Sequence, residues 1–151
     1  MPDVTIRNEA SESVVRSSFA AQGLMQHLGA ELSRVEPGAV EITVRHRPEL
    51  TQQHGYFHAG VTTSIADSAC GYSALTLMGP GSEVLSVEFK INLFAPGRGE
   101  ELVARARVIR SGRTITVCQS DVFAVADGAE VHCATMVATL MRVDTPHQVQ
   151  P

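Results

Sequence analysis

Thirty-three consecutive residues, Leu50 to Ser82, contain one formally charged side chain, Asp67. It falls inside a run that reads as a helix, among Ile65, Ala66, Ala69, Cys70 and Ala74. Apolar and small residues occur on every side of that run, which predicts a helix buried nearly all round. Burial strips hydration from a carboxylate and raises its pKa from about 3.9 toward the range of a useful base. His58-Ala59-Gly60 opens the same predicted helix. The first amides of a helix have no partner within it, and its dipole is positive at that end. An oxyanion or a polarised carbonyl is held well there. Ala59 and Gly60 are small enough to let a substrate approach the backbone. The structural alternatives are an Asp67 that bonds a neighbouring hydroxyl or amide, and small residues that merely permit close packing.

Helical geometry constrains the pair. Asp67 is seven residues beyond Gly60, on the same face but roughly 10 Å along the axis. One carbonyl cannot lie within about 3 Å of both. If both act on one substrate, the amide of one helix must meet the Asp67 of another. Two copies related by a two-fold axis supply that arrangement twice. A dimer with its sites at the interface is therefore expected.

Other candidates are weaker. His54 and His58 stand four apart, but Gly55 occupies the place where a helical zinc motif needs its Glu, and no metal site is expected. His58 is expected to fix its loop by hydrogen bonding, and His54 to line the pocket. Cys70 could pair with His58 as a nucleophile but reads better as a small buried residue, as do Cys118 and Cys133. The segment Arg110-Ser111-Gly112-Arg113-Thr114 offers guanidiniums, hydroxyls and free backbone to a phosphate, or is simply a solvated turn. Lys90 is the only lysine; it either faces the same ligand or lies on plain surface. Tyr56, Phe57 and Tyr72 are pocket or core aromatics.

These residues must be positioned by a small set of elements. Val14, Val15, Phe19, Leu24, Met25 and Leu28 recur at helical spacing from Ser11 to Leu28, with Gly29 as the stop. Strands follow on either side of Pro37-Gly38, where Val40, Ile42 and Val44 alternate with polar residues. Residues 51–59 read as a loop and Val61 to Met78 as the central helix, halted by Gly79-Pro80-Gly81. Four strands complete the chain: Val84–Phe94, Leu102–Ile109, Thr114–Val125 and Glu130–Val143. Ser111-Gly112 and Asp127-Gly128 mark hairpins. Helix, two strands, helix and four strands in a row indicate α+β, an antiparallel sheet covering one helix. Residues 1–10 read as a flexible arm, 11–143 as one domain and 144–151 as a flexible tail.

Composition excludes several classes. The chain has 151 residues, which suits one domain. With 44% hydrophobic and 19% charged residues it should fold rather than remain disordered. A net charge of −4 argues against nucleic acid as a partner. No apolar run approaches the roughly 20 residues of a membrane span, and the first residues lack a signal-peptide core. Three cysteines without close spacing suit a reducing, cytoplasmic setting.

The segment GYFHAGVTTSIADSA, followed by SVEFKINLFAP and SGRTI, resembles the hot-dog-fold acyl-CoA thioesterases of the PaaI-like type, in the 4-hydroxybenzoyl-CoA thioesterase superfamily. The resemblance covers most of residues 20–143. It implies a long antiparallel sheet wrapped around one helix, hydrolysis of acyl- or aryl-CoA thioesters, and homodimers or tetramers made of dimers. It implies no cofactor beyond the coenzyme A of the substrate. Asp67 falls where that family carries its catalytic carboxylate, a base toward water or a nucleophile. Ala59 takes the place of a glycine whose amide polarises the thioester carbonyl, a departure that a backbone donor tolerates. Gln52 matches an amide side chain that positions carbonyl or water, and Ser86 a hydroxyl that orients the water. The hairpin with Arg113 and Thr114 matches a region that meets the nucleotide of CoA, and Lys90 is expected to face CoA as well. His54, His58, Gly60 and Tyr56 are expected around the substrate. Two rival readings share the fold: a dehydratase of hydroxyacyl thioesters, which would use His58, and a module that binds acyl-CoA without consuming it.

Overall fold

Residues 11–144 are described by a computed structural model. The elements follow the predicted order, with one division. The first helix is two: α1 (Ser11–Ala21) and α2 (Gly23–Leu28). Gln22 between them has extended backbone angles, φ −78° and ψ 107°. Its side chain turns inward to bond Tyr72 and Ser68 of the central helix, which explains a break that helical periodicity does not reveal. Gly29 ends α2 in the left-handed conformation, as its type predicts.

β1 (Glu31–Glu36) and β2 (Ala39–Arg45) form a hairpin, and one 3-10 turn at Pro48–Leu50 leads into the loop before α3 (Ala59–Leu75). β3 (Ser82–Leu93), β4 (Glu101–Ser111), β5 (Ile115–Ala126) and β6 (Ala129–Asp144) follow. β6 thus extends one residue into the expected tail; the rest of that tail and the expected arm at 1–10 lie outside the described residues. The six strands form one antiparallel sheet in the order β1-β2-β4-β5-β6-β3. Asp127 and Gly128 both adopt positive φ, 52° and 78°, the geometry of a two-residue hairpin turn.

α3 lies in the concave side of this sheet. Ile65, Ala66, Ala69 and Cys70 are wholly buried against inward residues such as Ile42, Leu102, Ala104, Cys118, Met136 and Ala138. Small residues on both sides let sheet and helix approach closely, so a chain poor in aromatics still closes its core. This is the hot-dog arrangement. No helix among the described residues is long and apolar enough to cross a membrane.

The helix is not buried all round. Gly60 is exposed, and Thr63, Ser64, Asp67, Ser68 and Gly71 are partly exposed. They form a stripe at helical spacing on the side away from the sheet. Small side chains permit burial on any face, but one chain covers only the face toward the sheet.

A register shift between Ser86 and Glu88 sets which β3 side chains face α3. Before it, Val84 and Ser86 point inward; after it, Phe89, Ile91 and Leu93 do, beside the buried partners Ala138, Met136 and Ala134. Such a bulge reverses the alternation.

The segment from Ala95 to Glu100 sets the lower edge of the site and depends on backbone that only glycine adopts easily. Gly99 has φ +139°, and a Cβ there would lie 2.1 Å from the Val125 carbonyl oxygen. Gly99→Ala should lower the unfolding free energy by roughly 2 kcal/mol or more in urea titration. An unchanged midpoint would contradict the strain.

Candidate active site

Local hydrogen bonds build the start of α3. The loop before it doubles back: the Gln52 N–H donates to the Tyr56 carbonyl at 2.9 Å, and Gly55 takes φ +83° in the turn. Phe57 donates its N–H to the Gly97 carbonyl at 2.9 Å, and His58 donates to Leu50 at 2.9 Å. Gly97 and Phe57 approach so closely that a Cβ on Gly97 would lie 3.0 Å from the Phe57 Cβ. The loop is therefore held by backbone bonds on both sides of the position where the helix begins.

His58 is the N-cap. Its Nδ1 accepts from the Gly60 N–H at 2.7 Å, and its carbonyl accepts from Val61 at 2.9 Å. The amides of Gly60 and Val61 are thus occupied. The Ala59 N–H has no acceptor among the described residues, and Ala59 lines a cavity of about 440 Å³. Of the two amides singled out at this helix start, the one left for a ligand is that of Ala59.

Gln52, Tyr56, Phe57, Leu93 and Phe94 line the same cavity. The Gln52 side-chain oxygen accepts the His54 N–H, which leaves its Nε2 as the donor end. His54 itself is exposed in the turn and is not among the cavity-lining residues. Arg98 was not singled out by sequence reasoning, yet it donates to the Tyr56 hydroxyl at 2.6 Å with its guanidinium 4.9 Å from the ring centroid. A lone cation in a Pro-Gly-rich turn carries no local signal; only tertiary pairing with Tyr56 brings it to the cavity rim.

Asp67 lies two turns along α3. The Ser86 hydroxyl donates to its Oδ1 at 2.7 Å, so the carboxylate and an inward β3 hydroxyl form a pair. Asp67 is half-buried and Ser86 exposed, so one chain alone does not enclose them. A second cavity of about 170 Å³ opens beside the pair, between α3, β3 and the α1–α2 junction. Asp67 with Ser86, and Ala59 with Gln52, thus border two different cavities of one chain.

Other candidates fall in three places. Arg113 and Thr114 form the exposed tip of the β4–β5 hairpin. Thr116, Leu140 and Ser86 are aligned across β5, β6 and β3, so Thr116 lies about two strand spacings, roughly 10 Å, from Ser86, and the tip lies beyond it along β5. Lys90 pairs with Val137 on the outer face of the sheet, opposite Asp67, and donates to Asn92 at 2.9 Å. The thiols are buried and free. Burial pushes Cys70 well up and Cys118 up to about 12, far from the reactive thiolate range. Cys70 and His58 therefore do not form a nucleophilic pair.

A sheet wrapped around one helix, with a carboxylate at mid-helix and an open amide at its start, defines a hot-dog-fold protein with a site suited to hydrolysing an acyl compound. Comparison with known proteins agrees. The family model described as Thioesterase superfamily matches residues 54–131. The crystal structure of a thioesterase family protein from Silicibacter pomeroyi is 46% identical, with a TM-score of 0.87, over 89% of this chain and 98% of that one. Acyl-coenzyme A thioesterase 13 from Homo sapiens is 26% identical over 127 residues, 83% of this chain and 90% of the relative. The PaaI protein of the E. coli phenylacetic acid degradation operon, 18% identical with a TM-score of 0.80, shares the fold over 92% of this chain and 96% of its own. The chain belongs to the thioesterase superfamily, and it is a thioester hydrolase.

The cap makes a stability prediction. His58→Ala leaves the Gly60 amide without its acceptor and should cost about 1 kcal/mol in chemical unfolding, and His58→Asn should recover most of that. Equal loss in both variants would show that the ring acts through packing instead.

Proposed function

We propose that this hydrolase cleaves acyl- or aryl-CoA thioesters at a site shared by two copies of the chain. The observation that carries the reading is the separation of the open Ala59 amide and the Asp67 carboxylate on one rigid helix. Eight residues at 1.5 Å each place them about 12 Å apart, too far to serve one carbonyl. In a two-fold dimer, Ala59 of one protomer meets Asp67 of the partner subunit.

The thioester carbonyl accepts from the Ala59 N–H, assisted by Gln52 Nε2. A water molecule donates a proton to the free oxygen of Asp67 while its own oxygen attacks the carbonyl carbon. Ser86 holds the other carboxylate oxygen and, through its lone pairs, the water. The tetrahedral oxyanion rests on the amide, where fixed dipoles stabilise it. Its collapse breaks the C–S bond. CoA leaves as a thiolate, which recovers the proton, and the acyl group leaves as the acid. A thiolate is a good leaving group, so no strong general acid is required. Arg113 and Thr114 at the hairpin tip, together with Arg98, are donors for the phosphates of CoA. Lys90 faces away and has no part in this scheme.

Two features support the pairing of copies. β3 is an edge strand of the sheet, twelve residues long, with Leu85, Val87, Phe89 and Leu93 each over 40% exposed. A long apolar edge of this kind is normally covered. Alongside it runs the uncovered stripe of α3 that carries Asp67. The dimer is the smallest assembly that the mechanism needs. A dehydratase would need His58 as its base, and here the ring serves as the helix cap.

Asp67→Asn should reduce release of free thiol from a panel of acyl-CoAs by about 10²-fold or more while sedimentation still shows the dimer. Wild-type turnover by that variant would sink the assignment. Ala59→Pro removes the proposed donor at a helix position that tolerates proline. It should lower kcat by about 10²–10³-fold with the fold retained; full activity would remove the amide from the mechanism.

A further inference from the structure

The cavity of about 170 Å³ beside Asp67 differs in character from the one beside Ala59. Asp67 and Ser86 border it on the reacting side, and Ser18, Gln22, Ser68, Tyr72 and Glu83 supply the rest of its polar wall. Ser18, Gln22, Ser68 and Tyr72 belong to one network. Gln22 donates through Nε2 to the Tyr72 hydroxyl at 3.2 Å and accepts from the Ser68 hydroxyl at 3.0 Å. Tyr72 also shares a hydrogen bond with Ser18 at 3.2 Å. Both ends of the Gln22 amide are therefore fixed, and the break between α1 and α2 exists where this side chain turns inward.

We propose that this cavity receives the acyl group, and that Gln22 and Tyr72 make the enzyme select a short acyl chain ending in a neutral hydrogen-bonding group such as a hydroxyl. The proposal rests on Asp67 acting in thioester hydrolysis, since that places the acyl carbon at the mouth of this cavity. Its volume equals about six water molecules, enough for a short acyl chain and far too little for the arm of CoA. A methyl end would displace water from the wall without replacing its hydrogen bonds, whereas a hydroxyl replaces them. The second hydrogen on Gln22 Nε2 and the remaining lone pairs of Ser68 and Tyr72 are the groups available to it. Tyr72 remains a protonated phenol, because burial raises its pKa. Glu83 also borders the cavity, so with Asp67 two carboxylates face it and a carboxylate-ended acyl group is repelled.

Three CoA thioesters of matched chain length test this: heptanoyl-CoA, 6-hydroxyhexanoyl-CoA and the monothioester of adipic acid. For the wild-type enzyme, kcat/KM for the hydroxylated substrate should exceed that for heptanoyl-CoA by at least about tenfold, mainly through KM, with the adipoyl ester poorest. Gln22→Leu and Tyr72→Phe should each bring the hydroxyl-to-methyl ratio within about threefold of unity, whatever their absolute rates. Measurable hydrolysis with heptanoyl-CoA equal or preferred overturns the selectivity and leaves the hydrolase reading intact. A hydroxyl preference untouched by both variants overturns the role of Gln22 and Tyr72. No thiol release from these or from other acyl-CoAs overturns the hydrolase reading and this proposal with it.

Discussion

A helix does not bend to bring its first turn to its third. The amide at Ala59 and the carboxylate at Asp67 are fixed on one rod about 12 Å apart, and everything else in this structure is consistent with that separation. The sheet grips α3 on one side only, through Ile65, Ala66, Ala69 and Cys70. The opposite stripe, small and polar apart from Asp67, stays open. The strand next to that stripe is a sheet edge with four exposed large apolar residues. One chain thus folds completely yet leaves its two chemical groups bordering different cavities.

The loop and the edge strand are matched to this rod. The 50–58 loop is bonded on one side to itself and on the other to Gly97, so the amide at Ala59 is presented by rigid backbone. His58 occupies the neighbouring Gly60 amide, which leaves Ala59 as the donor and commits the imidazole to structure. Opposite, the bulge in β3 keeps Ser86 inward at the level of Asp67 and then turns Phe89, Ile91 and Leu93 inward farther along. One strand therefore supplies a polar partner to the carboxylate and an apolar wall to the Ala59 cavity. The N-terminal segment completes the other cavity through Ser18 of α1 and Gln22, both bonded to Tyr72 of α3.

Much of this was legible in the sequence because it is encoded locally. Alternation at Val40, Ile42 and Val44, the Asp127-Gly128 turn and the Gly-Pro-Gly stop after the helix each act within a few residues. The solitary Asp67 was legible as well, since one charge among thirty-three residues stands out in any reading. What was not legible depends on tertiary contacts. The break at Gln22 is made by bonds to Ser68 and Tyr72, more than forty positions away. Arg98 reaches the site only by stacking on Tyr56. The face taken by Lys90 is decided by a bulge that no residue type announces. The all-round burial expected of α3 is not met within one chain for a related reason: small residues state what a helix tolerates, not what covers it.

The shared site is tested most directly by mixing two inactive chains. Asp67→Asn retains a sound Ala59 amide, and Ala59→Pro retains a sound Asp67. If each site takes one group from each protomer, every mixed dimer rebuilds one complete site. Refolding or co-expressing the two variants in equal amounts should then restore about a quarter of wild-type acyl-CoA hydrolysis, since half the dimers are mixed and each has one of two sites. A mixture as inactive as its components, with mixed dimers demonstrated by differential tagging, would contradict a site built by two copies.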